Sequence, residues 1–266
     1  MIHLLREIIG VGFIVFWLFV FALLALMDEV GFQIGRARSR AATPLNIQTD
    51  GVSTLTTGML GLVAFTLAVT IGIAQDRFEA RRNATLDEAN KIGTAWRSTG
   101  LAGASGKPIA ELIEEYARAR LAYLAATSPD AAAMTLARTN TLKNTIWQGT
   151  LALVPAMEAD LASTFVSSLN DMFDASLGQR YSMESGTPTE LMLMLLVGAM
   201  LAAGALGYQM GLAGRRQLVL TLLLIIMVSG AMVMIVDFNR PRGGLINVDP
   251  APLVWTIEGF ASASAH

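Results

Sequence analysis

Histidine occurs only at His3 and His266, and cysteine does not occur at all. One chain of this kind cannot assemble a triad of histidines, a multi-His metal site, a Cys-ligated cluster or a thiol nucleophile. Paired carboxylates are present at Asp87–Glu88 and Glu114–Glu115. Adjacent residues on a helix point to different faces, so neither pair makes a good acid and base couple, and both read as solvated surface. What remains is charge without a nucleophile. Arg77, Arg81 and Arg82 crowd the end of an apolar stretch, beside Asp76, Glu79 and Glu88. Such a cluster either concentrates positive potential that draws anions or anchors a helix at an interface and pairs with those carboxylates. Arg36, Arg38 and Arg40 carry the same two readings, with anchoring of the first apolar stretch favoured. No enzyme is expected, and no cofactor or metal site.

The elements that carry these residues are membrane helices. Of the 266 residues, 53% are hydrophobic and 15% charged, against about 25% charged in an ordinary soluble domain. Four stretches approach the roughly 20 apolar residues a bilayer crossing needs: 8–27, 55–74, 191–208 and 218–236. None holds Asp, Glu, Lys, Arg or His, so a proton-coupled or ion-coupled transporter is disfavoured. The first is too long for a signal peptide and reads as an uncleaved span. A net charge of −2 gives no general attraction to nucleic acid. Flanking Lys and Arg number eight on the side of the termini and five on the other, which places the termini and the large central segment in the cytoplasm.

The expected organisation is all-α. Residues 1–74 hold two spans and their connection, 75–189 a helical cytosolic domain, 190–236 two further spans, and 237–266 a cytosolic tail. Gln75–Arg82 lacks Gly and Pro, so the second span is predicted to run on as one helix to about Arg97. Gly100–Lys107 reads as a loop, and Pro108 fits a first helical position. Leu112, Ile113, Tyr116, Ala117 and Leu121 recur at helical spacing, with Glu114–Arg118 as an i,i+4 pair. Ser128-Pro129 opens a helix that Pro155 interrupts. Thr187-Pro188-Thr189-Glu190 has the form of a capping box. Glu88, Asn90, Asn170 and Asp174 fall where domain helices must pack and are expected to form a structural polar network; an ion or ligand site is the alternative. Ala199, Ala203, Gly207 and Gly211, spaced by four, suit close helix packing within one subunit or between subunits.

Several blocks resemble a bacterial family of membrane proteins called bestrophin-like. They are Gly61–Thr66, Asp76–Arg82 and Glu88–Ala95, then Tyr116, Arg120 and Trp147, Leu169–Met172 with Arg180, and finally Asp237–Ile246. Together they cover roughly residues 55–250. More distantly the chain resembles the bestrophins themselves, pentameric anion channels with four spans per subunit and a helical cytosolic domain. That resemblance implies a homo-oligomer, a pentamer by preference, embedded in lipid and conducting anions, with chloride as the first candidate. It implies a pore lined by the second span, with a hydrophobic neck at Gly61, Phe65 and Val69 and mouth charges at Arg77, Arg81 and Arg82. A ring of Phe65 and Val69 would be an apolar constriction of the kind that gates by dewetting. Gly61 departs from the bulky residue the bestrophins carry there. Asn239–Gly243 faintly echoes a bestrophin segment but lacks the acidic cluster that follows it in calcium-gated members, so no calcium site is expected. The implied location is the bacterial inner membrane. The competing reading is a membrane-anchored helical scaffold or sensor that conducts nothing; it would bury the 61/65/69 face within its own bundle.

Overall fold

The computed structural model describes residues 2–41, 49–186 and 188–263, and among them every regular element is helical. The order is α1 (Ile2–Ala41), α2 (Thr49–Ser98), α3 (Lys107–Ala125), α4 (Pro129–Leu153), α5 (Ala159–Glu184), α6 (Thr189–Ala213), α7 (Leu218–Asn239) and α8 (Ala251–Ala263). Short 3-10 turns cover Thr99–Gly106 and Val154–Ala156. Four helices are long and apolar enough to cross a membrane. Helices suit that role because each backbone polar group is satisfied within its own segment.

Local expectations and local structure agree at several points. α2 continues through the charged segment to Ser98 as one helix of 50 residues. Ser128 caps α4, its side-chain oxygen accepting from the Ala131 amide at 3.2 Å, and Pro129 follows at the first turn. Pro155 sits in the 3-10 turn that separates α4 from α5. One expectation differs from the structure. The Gly100–Lys107 loop is mostly wound into 3-10 turns, kinked where Gly103 takes φ 58°. α6 starts at Thr189 after Pro188; Thr187, the expected capping residue, lies outside the described residues.

The chain divides into two compact units. The first holds the chain up to Arg77, Gly186–Arg240 and Gly244–Ile246. Its core joins Val20 and Leu24 of α1, Val63 and Leu67 of α2, Leu195 and Ala199 of α6, and Ile225 and Ile235 of α7. α1 and α6 cross with their backbones touching. A Cβ at Gly207 would overlap the Asp28 carbonyl, and one at Gly211 would overlap that of Phe32. Gly31 and Gly35 answer from α1 in the same way, against Gly204 and Tyr208. The four-residue stripe therefore packs within the chain.

The second unit holds Phe78–Ser185, Pro241–Gly243 and the chain from Asn247. Ile92, Ile113, Tyr116, Ile146, Phe165, Leu169 and Leu253 form its core, each fully buried. α8 belongs here, with Phe260 stacked on Trp96 at 4.9 Å between ring centroids. The segment that composition sets apart as a tail thus contributes a core helix to this unit.

Candidate functional site

Along the membrane part of α2 two stripes face in opposite directions. Val63, Leu67, Thr70 and Ala74 are buried. Gly61, Phe65 and Val69 lie across the helix from them, and Phe65 and Val69 are 66% and 46% exposed. Two residues are about 200° of helix, so an apolar sequence with one buried stripe must show its other stripe outward. Gly61 has open space where a Cβ would stand. The 61/65/69 face is not buried in its own bundle.

The three arginines that follow part company. Arg77 is exposed, and so is Arg82, whose guanidinium lies 3.9 Å from Glu79. Arg81 is buried to 1% exposure. It points four residues ahead of Thr85 and seven ahead of Glu88, both also buried. A helix repeats its facing at those spacings, which aligns Arg81 with Thr85 and Glu88, while Arg82, one residue on, is turned about 100° away toward solvent.

In the second unit Glu88 is fully buried and paired with Arg120 of α3. Arg120 Nε donates to Glu88 Oε1, and Nη2 donates to Glu88 Oε2 at 3.3 Å and to Gln179 Oε1 of α5 at 2.8 Å. Burial pushes the Glu88 carboxyl above its usual range, and the Arg120 charge opposes that push. Tyr116, also buried, is pushed up by the same desolvation. The guanidinium carbon of Arg120 lies 4.7 Å from the centroid of the Tyr123 ring, and that of Arg242 lies 4.6 Å from it.

The polar network is therefore real at Glu88 but has other members than the sequence suggested. Asn90, Asn170 and Asp174 are exposed. Asn90 is two residues past Glu88 and so faces away from it, onto an open groove between α2 and α8 of ≈490 Å³ that Trp255 also lines. Asn170 and Asp174 stand well around α5 from Gln179, at nine and five residues' separation. Arg120 and Gln179 were missed as its partners. A signal for the first exists: Arg120 falls four residues after Tyr116 and seven after Ile113, inside the apolar stripe of α3, where a charge demands a partner. Nothing comparable marks Gln179. The carboxylates read as solvated pairs also split, for Asp87 is exposed while its neighbour Glu88 is not.

Four apolar helices, an all-α fold and a charged network confined to one helical unit define a membrane protein without a visible catalytic centre among the described residues. The chain belongs to the bestrophin-like family, whose domain model matches residues 15–253. The bestrophins that give the family its name are ion channels. The fold is that of the bacterial bestrophin homolog from Klebsiella pneumoniae. One variant of that protein superposes with a TM-score of 0.71 at 15% identity, covering 94% of this chain and 97% of that one. A second variant gives 0.69 at 14% identity, covering 93% and 98%. A third structure of the homolog gives 0.67 at 16% identity, covering 94% and 98%. No curated protein matches the sequence.

Proposed function

We propose that the chain is a subunit of a homo-oligomeric channel, a pentamer by preference, that conducts anions passively through a pore lined by α2. Chloride is the first candidate ion. Gly61, Phe65 and Val69 form the neck, and Arg77 and Arg82 set the potential at the cytoplasmic mouth; the buried Arg81 positions the helix. The termini and the helical unit face the cytoplasm of a bacterial inner membrane.

The observation that carries this reading is the outward stripe on α2. A 66% exposed Phe65 on a span whose other side is packed needs a neighbour: lipid, a second subunit, or a shared axis. The small residues beside it, Gly61 and Gly72, leave room for water on that face. Several such faces around an axis make an apolar constriction whose width sets wetting and hence conduction.

Chloride efflux from liposomes holding the purified protein tests it, with Phe65→Ala as the comparison. The expected result is flux in the parent and faster flux in the variant, because the neck is wider. Equal flux in both keeps a channel but moves the pore off this stripe. No flux from folded, oligomeric protein removes conduction and leaves the anchored scaffold, for which the α2–α8 groove offers a binding surface.

A further inference from the structure

The groove between α2 and α8 holds ≈490 Å³ of space, within the range of sites that take a small organic molecule. All of it lies inside the helical unit. Ala89, Gly93 and Phe260 form its floor, and each is buried. That floor is braced. Thr256 Oγ1 reaches the Ala89 carbonyl at 3.3 Å, which ties α8 to α2, and Phe260 stacks on Trp96. A cleft held open by packed residues is formed before a ligand arrives, so binding does not have to order it.

The two rims differ in chemistry. On α8, Trp255 is 66% exposed, a large ring turned outward from a helix that buries Leu253 and Phe260. On α2, Arg97 is exposed and makes no ion pair among the described residues. Its Nη2 lies 3.9 Å from where a Cβ of Gly93 would stand, so the guanidinium is laid back over the groove floor. Asn90 and Thr94 continue the same wall, two turns and one turn before it. Among the described residues no Asp or Glu lines the groove. A cation without a counter-charge and an aromatic ring without a cover thus share one cleft.

We propose that this groove binds a small aromatic carboxylate, its ring stacked on Trp255 and its carboxylate held by the Arg97 guanidinium. Stacking needs a flat face, and the guanidinium fork takes both carboxylate oxygens. Asn90 and Thr94 supply further donors along the wall. An aliphatic acid forgoes the stack, an aromatic amide forgoes the charge, and an aromatic amine meets the positive charge of Arg97. The site uses none of the residues of the proposed pore neck and holds whether or not the protein conducts.

Isothermal titration calorimetry of the full-length protein in detergent tests it, with 2-naphthoate and its neutral counterpart 2-naphthamide as probes. The acid is expected to bind saturably, and the amide at least about tenfold more weakly, the worth of one hydrogen bond to a charged group. Arg97→Gln should bring the acid down to the affinity of the amide and leave the amide unchanged, a separation that a general loss of structure would not give. Trp255→Ala should weaken both probes roughly fivefold, the worth of one aromatic pair. Gly259 lines the groove and has open space where a Cβ would stand, so Gly259→Leu should fill the cleft and abolish binding of both without unfolding the helix. No saturable binding of 2-naphthoate, equal affinity for acid and amide, or binding undiminished by Arg97→Gln would overturn the proposal. Binding untouched by both Trp255→Ala and Gly259→Leu would put the ligand elsewhere and overturn it equally. A neighbouring copy seated in the groove would leave the parent without binding, which also counts against it.

Discussion

At the scale of single residues, the pair of Glu88 and Arg120 governs the helical unit. Two charges without exposure to water are stable only together; removing one leaves the other desolvated and uncompensated. Arg120→Met is expected to cost about 3–5 kcal/mol near neutral pH. The loss should depend on pH with a definite sign. Burial holds the folded-state Glu88 above its ordinary value of 4.5, so between that value and the raised one the folded chain binds more protons than the unfolded chain. Stability from this group therefore falls as pH rises through that window. Without Arg120 the carboxyl rises further, and the window widens upward. Denaturant midpoints measured from pH 5 to pH 8 should show a variant close to the parent at the acid end and far below it at the other. A cost that stays constant across that range would sink this account. Adding Glu88→Leu to the methionine variant should recover stability, since an apolar pair carries no desolvation penalty.

The sequence exposes part of this network and hides the rest. Arg120 betrays itself by standing in an apolar stripe. Asn90, Asn170 and Asp174 look like partners because they are polar and close in sequence to packed positions. Each lies on the wrong side of its helix, and facing is a matter of a residue or two.

At the scale of elements, the crossing of α1 and α6 is set by glycine. Gly31 and Gly35 on one helix and Gly207 and Gly211 on the other let carbonyls and backbone touch. In lipid such contact replaces the hydrophobic drive that water would provide. Gly207→Val should separate the helices and lower the unfolding temperature markedly, an overpacking loss of at least about 1–3 kcal/mol. Gly230→Val on α7 is the control, since its Cβ position is open. Comparable unfolding temperatures for the two variants would argue against a contact that matters. The α6 half of this stripe is visible in the sequence as a repeat of four. Its destination is not, because the same repeat serves packing within a subunit or between subunits. Gly31 and Gly35 carry no separate signal. Asp237 offers a second example. Its carboxylate accepts from the Leu245 and Ile246 amides at 2.8 and 3.0 Å, and a Cβ at Gly244 would come within 2.5 Å of it. The sequence shows that block as a family feature, and the structure shows the clasp that it builds.

At the scale of the whole molecule, the proposed function needs several copies. One exposed Arg77 at the surface has little reach through physiological salt, where screening sets in at about 8 Å. A ring of them around a narrow mouth focuses the field. Arg77→Gln is therefore expected to lower anion over cation permeability in reconstituted protein while leaving the protein folded. The difference between parent and variant should shrink as ionic strength rises. A reversal potential that does not move would remove Arg77 from the conduction path.

Composition and hydropathy by themselves pointed to an all-helical membrane protein with four helices long and apolar enough to cross a bilayer, because lipid demands long uninterrupted apolar segments and allows few other solutions. The same sequence excluded thiol chemistry by lacking cysteine, and multi-His sites within one chain by holding histidine only at positions 3 and 266. Short-range rules placed the run of α2 into the charged segment, the Ser128 cap and the break at Pro155. Only the tertiary structure decided which stripe of α2 is packed and which is open, that Arg81 turns inward while Arg77 does not, and that α8 belongs to the helical unit. It alone joined Glu88 to Arg120 and Gln179 across three helices, and brought Trp255 of α8 to the groove that Arg97 lines. Those outcomes depend on which faces meet, and facing between distant segments is set by packing that no local pattern encodes.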